Sequence, residues 1–159
     1  MFKIEIVAIG KMSNGFYKAA EKEYIKRTTP YYEVSITEFP EQKEQGSGEK
    51  AVLKVVQLEG QRIIKYLEKT KHPVYALAIE GKAISSESFA NILSNLTNTS
   101  SGCIFVIGGS YGLSEEVKKR ADSLISLSSM TFPHQLARIV VLEQIYRSAT
   151  INNGITYHK

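Results

Sequence analysis

The sequence contains a single cysteine, Cys103, and no tryptophan among its 159 residues. One cysteine cannot build an intrachain disulfide framework, which fits a protein of the reducing cytoplasm. Because Cys103 lies within an apolar run that is typical of a strand, we expect a buried structural thiol rather than a nucleophile. Cysteine chemistry is therefore not expected to carry an activity.

The sequence also contains no long hydrophobic run, and we expect no leader segment at its N-terminal stretch. No apolar run approaches the ~20 residues that a helix needs to span a bilayer. The N-terminal stretch MFKIEIVAIG alternates like a strand and lacks the charged start and small-residue cleavage site of a signal peptide. We therefore expect a cytoplasmic protein without a membrane partner.

What is present is an ordinary globular composition with a small excess of positive charge. Hydrophobic residues make up 43% of the chain and charged residues 23%, and the net charge is +4. On length, we expect one domain spanning residues 1–159, large enough for one core. The positive charge favours an anionic partner such as nucleic acid, although a solvated basic surface has the same composition.

The apolar periodicity predicts strands that alternate with helices along the chain. We predict strands at residues 2–9, 33–39, 74–79, 103–107 and 123–127, and helices at residues 14–28, 49–69, 86–96, 114–121 and 133–150. The later strands are apolar throughout, as in strands that are buried on both faces. This order predicts an α/β fold with a mostly parallel sheet flanked by helices.

A glycine-rich loop follows the strand at residues 103–107. Gly108, Gly109 and Gly112 form G-G-x-x-G, which is neither the dinucleotide-binding pattern nor a Walker motif. The next helix begins with Glu115 and Glu116, whose carboxylates would repel a phosphate at that helix end. The loop predicts either close approach of backbone to a phosphate-free ligand or a tight turn alone.

Two further strand ends offer walls for such a ligand. The segment SLSSMTF, residues 126–132, is small and polar, and its Met130 and Phe132 can cover an aromatic ring system. Residues 75–79 end another buried strand. Because ligands of open α/β sheets bind outside the carboxyl ends of the strands, these three loops suit an adenosine bound without phosphate.

The final predicted helix is apolar nearly all round between Leu136 and Leu142, where only Arg138 is polar. Such a helix is either central in the fold or part of a subunit interface. Arg138 and Arg147 can bind phosphate, and Tyr146 and Tyr157 can stack on a base. The alternative is that the arginines form salt bridges with Glu143 or with a partner chain.

Three motifs in the last third carry a resemblance to a known family. The loop IGGSYGL, the block SLSSMTFPHQLARIVVLEQIYRS and the terminal YHK resemble the ribosomal RNA large-subunit methyltransferase H family, a minimal group of SPOUT methyltransferases. The resemblance extends from VAIGKM near the N-terminus to the last residue. It implies a C-terminal trefoil knot, a homodimer, and S-adenosylmethionine as the methyl donor. It also implies methylation of N3 of a pseudouridine in the helix 69 loop of 23S rRNA, on the ribosome, with no metal.

The resemblance also implies roles for particular residues. The cofactor contacts would be Leu77, Gly108, Leu127, Ser128, Ser129, Met130, Thr131 and Phe132. The residues that take part in the reaction would be His134, Arg147, Tyr157 and His158, with Lys159 as a further tail residue. Thr156 stands where the family often has proline, and Tyr111 is expected to shape the mouth of the pocket.

Methylation at N3 requires removal of a ring proton, which a histidine can accept near neutral pH. His134 and His158 are both candidates, and a structural histidine is the alternative for each. Arg147 would hold phosphate or stabilise negative charge on the ring. Two other functions fit the same sequence: RNA binding without catalysis, and an enzyme that uses an adenosyl cofactor on a small molecule.

Overall fold

The computed structural model describes residues 1–159, and five strands alternate with five helices along them. The strands are β1 (Lys3–Ile9), β2 (Glu33–Phe39), β3 (Val74–Ala83), β4 (Gly102–Ile107) and β5 (Ser123–Ser126). The helices are α1 (Gly15–Thr28), α2 (Glu49–Leu67), α3 (Ser86–Thr99), α4 (Glu115–Arg120) and α5 (His134–Asn152). The predicted alternation is confirmed.

The strands form a single five-stranded sheet in the order β2-β1-β4-β3-β5, and every pairing is parallel. All six residues of β4, which lies at the centre, are buried. A parallel arrangement places the carboxyl ends of all strands at one edge, so the loops after β3, β4 and β5 emerge side by side. The predicted parallel α/β fold is confirmed.

Helices cover both faces of the sheet. On one face, α1, α3 and α5 pack over Phe105 and Ile6, with Leu93 and Leu142 in that core. On the other face, α2 and α4 pack over Val106. Full burial of one Leu, Ile or Phe side chain stabilises the folded state by about 1.5–3 kcal/mol. The two cores explain why β4 is apolar at every position rather than alternating.

Helix α5 lies between α1 and α3, with Leu142, Ile145 and Ala149 fully buried. This central position accounts for its apolar sequence within one chain. On the neighbouring α1, by contrast, only Thr28 is buried, and Phe16 is 67% exposed. None of the five helices combines the length and the hydrophobicity that a bilayer-spanning helix needs.

Strand β3 extends four residues beyond the predicted end at Ile79. Leu77 and Lys82 both pair with Ile125 of β5, so residues 78–81 leave the ladder and return to it. Gly81 permits this, because a Cβ there would lie 2.7 Å from the carbonyl carbon of Ile125. The excursion carries side chains of residues 78–80 to the carboxyl edge of the sheet.

Two buried small residues also have structural explanations. Gly60 lies in α2 where a Cβ would overlap the side chain of Ser114, the residue that caps α4 by accepting a hydrogen bond from the Val117 amide at 3.2 Å. Glycine is unfavourable inside a helix, but here it allows α4 to approach closely. Cys103 is buried, as predicted, and burial raises the pKa of its thiol to about 12.

Candidate active site

A pocket of about 400 Å³ lies at the carboxyl edge of the sheet, and half of its lining residues are hydrophobic. Its walls are the excursion of β3, the glycine loop after β4 and the serine-rich loop after β5. Seven of the eight residues predicted to contact a cofactor line it: Leu77, Gly108, Leu127, Ser128, Met130, Thr131 and Phe132. Ser129 is exposed and outside the lining. The three predicted walls therefore do meet.

The glycine loop folds back on itself very closely. A Cβ at Gly108 would lie 2.7 Å from the carbonyl carbon of Gly112 and 3.0 Å from the amide nitrogen of Leu113. Gly112 has a φ of +80°, which glycine adopts without strain, and its amide donates to the carbonyl of Gly109 at 3.1 Å. The shape of this wall thus depends on the absence of a side chain at Gly108.

If this pocket holds S-adenosylmethionine, as the resemblance implies, we predict that Gly108→Ala weakens its binding by about ten- to a hundredfold. The added methyl meets backbone atoms that cannot move aside, and overpacking of this kind costs roughly 1–3 kcal/mol. Titration calorimetry measures the effect. Gly15→Ala is the matched control, since no atom lies within 4 Å of its added Cβ. Equal affinities for Gly108→Ala and the unmodified protein would contradict this role for the glycine loop.

The serine-rich loop is held by its own side chains. The Ser126 hydroxyl donates to the carbonyl of Ser128 at 3.0 Å, and the Ser128 hydroxyl accepts from the Met130 amide at 3.0 Å. Met130 is 73% exposed although it lines the pocket. An exposed, flexible apolar side chain at a pocket rim is suited to covering a bound ring.

Charged and aromatic groups surround the mouth of the pocket. Lys118 of α4 forms an ion pair with Glu80 of the β3 excursion, and both residues line the pocket. Hydrogen bonding between them lowers the pKa of Glu80 and raises that of Lys118. The Tyr111 hydroxyl donates to Glu44 at 2.7 Å, which raises the pKa of Tyr111. Tyr111, which we expected at the mouth, is among the residues that line the pocket.

Of the four residues predicted to take part in the reaction, only His134 lines this pocket. It is the first residue of α5, and its Nε2 lies 3.5 Å from Glu41 Oε1. The next residue, Gln135, joins α5 to the loop before α1 by donating to the Ser13 hydroxyl at 2.9 Å. The start of α5 is thus fixed at the rim.

The other three residues form a separate group, which we call the C-terminal cluster: Arg147, Tyr157 and His158. Glu143 accepts from Arg147 Nη2 at 2.6 Å and from the Tyr157 hydroxyl at 3.2 Å, and the Arg147 guanidinium lies 4.7 Å from the centre of the Tyr157 ring. His158 Nδ1 is 3.1 Å from Arg147 Nη1. One carboxylate therefore organises both an arginine and the tail.

The C-terminal cluster is also held from α3, where Glu87 Oε1 is 2.7 Å from His158 Nε2. This bond lowers the pKa of Glu87. The hydrogen bond with Glu143 raises the pKa of Arg147, and burial raises the pKa of Tyr157, so the Tyr157 hydroxyl keeps its proton at neutral pH. Thr156 and Lys159 are exposed.

The C-terminal cluster and the pocket lie at opposite ends of α5. Thirteen residues separate His134 from Arg147, and the helix rise of 1.5 Å per residue places them about 20 Å apart. A single chain therefore does not bring the four predicted reaction residues together.

A family model described as "Predicted SPOUT methyltransferase" matches residues 2–158 of this chain. The chain belongs to the SPOUT methyltransferase family. Relatives named ribosomal RNA large subunit methyltransferase H come from Lactobacillus acidophilus, Bacillus thuringiensis subsp. konkukian and Limosilactobacillus reuteri. They are 46%, 48% and 47% identical over 158 residues, which cover 98% of this chain and 99% of each relative.

Family membership makes this chain a methyltransferase, confirms the resemblance and implies a trefoil knot in its C-terminal part. The pocket is the concave site of this SPOUT methyltransferase that best suits a small-molecule methyl donor, since it lies at the carboxyl ends of three strands.

Two carboxyl groups at the site of this SPOUT methyltransferase were not predicted from the sequence. Glu80 directly follows the apolar run of β3, and its position at a strand end was a usable signal. Glu59 lies in α2 under the glycine loop, with Oε1 lacking a hydrogen-bond partner, and burial raises its pKa. No local pattern in the sequence distinguishes Glu59 from other polar residues of an amphipathic helix.

Proposed function

We propose that this chain uses S-adenosylmethionine to methylate N3 of a pseudouridine in the helix 69 loop of 23S rRNA, on the ribosome in the cytoplasm. The observation that carries the proposal is the pocket bounded by three strand-end loops in a SPOUT methyltransferase. The rRNA substrate is supported by the names of relatives that are nearly half identical over almost the full chain.

The residues of the pocket fit the proposed cofactor. Its volume of about 400 Å³ lies within the usual range for small-molecule sites. Leu77, Gly108 and the segment 127–132 would hold the adenosine, with Met130 and Phe132 over its ring. When bound, S-adenosylmethionine supplies an activated methyl group on a sulfonium. The protein's contribution is then alignment of the RNA base, exclusion of water and removal of the N3 proton.

Removal of that proton requires a group near the pocket mouth. His134 lines the pocket and can accept the proton directly or through a water. Arg147 carries a permanent positive charge and can hold the RNA backbone or stabilise negative charge on the base. Tyr157 and His158, which Glu143 and Glu87 hold beside Arg147, would place the base.

The proposed active enzyme is a homodimer. Because the C-terminal cluster lies about 20 Å from its own pocket, a dimer in which the two α5 helices run antiparallel would bring one chain's cluster to the other chain's pocket. The exposed Phe16 on α1, beside α5, supplies apolar surface for such an interface. The basic net charge supports an RNA partner.

The test combines a binding and a transfer measurement. Titration calorimetry should show one S-adenosylmethionine bound per chain. Intact ribosomes or 50S subunits that contain the pseudouridine should then accept a labelled methyl group, and naked 23S rRNA should accept less. RNA affinity without cofactor binding would favour an RNA-binding protein that is not an enzyme. Methyl transfer to a small molecule in the absence of RNA would favour an enzyme that acts on small molecules. Either result would overturn the proposal.

A further inference from the structure

Glu41 connects three parts of the pocket rim. Its Oε1 lies 3.5 Å from Nε2 of His134 at the start of α5 and accepts from the Ser110 hydroxyl of the glycine loop at 3.5 Å. The backbone of Gly10, which follows β1, lies against the side chains of Glu41 and His134. One carboxylate from the polar loop 40–48 therefore contacts two residues that line the pocket.

Gly10 provides the space for this arrangement. A Cβ at Gly10 would lie 3.2 Å from His134 Nε2 and 3.3 Å from Glu41 Cγ, and its φ of +93° disfavours other residues. The imidazole and the carboxylate side chain thus both pack on a residue without a side chain, which fixes where each of them lies.

The backbone on either side of Glu41 is fastened to α2. Arg62 donates to the carbonyl of Pro40 at 2.8 Å and to the Gln42 side-chain oxygen at 2.6 Å. The backbone amide of Gln42 donates to the carboxylate of the buried Glu59 at 2.9 Å. Further along the loop, Glu44 accepts from Tyr111. A loop without regular structure is thereby anchored at the position where its carboxylate reaches the rim.

We propose that Glu41 is a positioning residue for methyl transfer, which orients the His134 imidazole at the pocket mouth through Nε2. Glu41 Oε1 lies at ion-pair distance from Nε2, and its negative charge favours the tautomer that carries the proton on Nε2 and leaves Nδ1 as the proton acceptor. It also offsets the unfavourable interaction of an imidazolium with the positive end of α5. This inference rests on the proposed function, because it assigns His134 a part in that reaction.

The test replaces Glu41 by alanine and measures methyl transfer at saturating cofactor. We expect kcat to fall about threefold to fivefold, the upper range for an ion pair whose carboxylate is 48% exposed, with KM and S-adenosylmethionine affinity within twofold. Glu41→Gln keeps the size of the side chain but not its charge, so it should lose nearly as much rate as Glu41→Ala. Glu49→Ala is the control, since Glu49 is exposed near the same loop, forms no side-chain hydrogen bond or ion pair with another residue, and its replacement removes the same charge.

A double-mutant cycle separates positioning from a merely structural role. In a His134→Asn background, Glu41→Ala should have no further effect on kcat, because the group that it orients is absent. Multiplicative losses, or an unchanged rate in Glu41→Ala alone, would overturn the inference. Failure of the proposed function itself is distinguishable, since the unmodified protein would then not methylate ribosomes at all.

Discussion

Arg147→Ala should abolish methyl transfer to ribosomes while leaving S-adenosylmethionine affinity nearly unchanged. Arg147 makes no contact with the pocket of its own chain, which lies about 20 Å away along α5. In the proposed dimer its charge acts on the RNA substrate, and loss of one such electrostatic contact costs at least about 100-fold in kcat. Calorimetry and a labelled-methyl assay on the same preparation measure the two quantities.

Arg27→Ala is the matched control for this variant. Arg27 lies on α1 near the same end of α5, is exposed, forms its ion pair with Glu23 four residues earlier, and lies over the rings of Tyr24 and Tyr146. Arg27→Ala removes the same charge but leaves the contacts of Arg147 with Glu143, His158 and Tyr157 in place. The activity of this variant should therefore stay close to that of the unmodified protein. Loss of cofactor binding in Arg147→Ala, or full activity, would contradict the role given to Arg147.

Mixing Arg147→Ala chains with Gly108→Ala chains, at an S-adenosylmethionine concentration too low to fill the weakened Gly108→Ala pocket, tests whether the working site is shared between chains. Arg147→Ala chains retain an intact pocket, and Gly108→Ala chains retain an intact C-terminal cluster. Refolded or co-expressed together, about half of the dimers are mixed, and each mixed dimer has one complete site, so about a quarter of the activity should return. No recovery would show that each chain supplies all of its own reacting groups.

The positions of the pocket walls could be predicted from the sequence because a general rule governs them. Apolar runs that end at Ile79, Ile107 and Leu127 are recognisable as buried strands, and parallel strands place their carboxyl ends at one edge. The excursion of β3 could not be predicted in the same way. It depends on where β5 lies against Gly81, a contact between segments more than forty residues apart.

The separation of the C-terminal cluster from the pocket shows a different limit. His134, Arg147 and His158 are close in sequence, and the resemblance implies that they act together. Along a helix, however, thirteen residues carry the chain about 20 Å, so nearness in sequence does not imply contact. The loop 40–48 is the converse case, since its polar sequence shows no sign of the contacts that Glu41 and Glu44 make with the pocket.

Arg138 was recognisable as an isolated charge on an apolar helix, but its partners were not. It is 1% exposed, and it donates to Glu38 at 2.6 Å, to Glu21 at 3.2 Å and to the carbonyl of Gly10 at 2.9 Å. These partners lie at least 100 positions away in the sequence. The network ties α5 to α1 and to the ends of β1 and β2, next to the pocket.

Arg138→Met should therefore destabilise the protein by about 3 kcal/mol, as measured by urea unfolding at neutral pH. Breaking a buried ion pair costs roughly 3–5 kcal/mol because the remaining charges lose their partner. We expect the lower value, since Glu21 and Glu38 are 20% and 32% exposed and can turn to solvent. Methionine preserves the unbranched shape, so the loss reports the charge and hydrogen bonds rather than a cavity.

The exposed pair of Arg27 with Glu23 provides the contrast for this measurement. Their side chains are 42% and 51% exposed, and pairs of this kind contribute at most about 1 kcal/mol. Arg27→Met should thus leave the free energy of unfolding almost unchanged. If Arg138→Met were equally mild, Glu21, Glu38 and the Gly10 carbonyl would be satisfied without Arg138. The anchoring of α5 beside the pocket would then have to come from apolar packing alone.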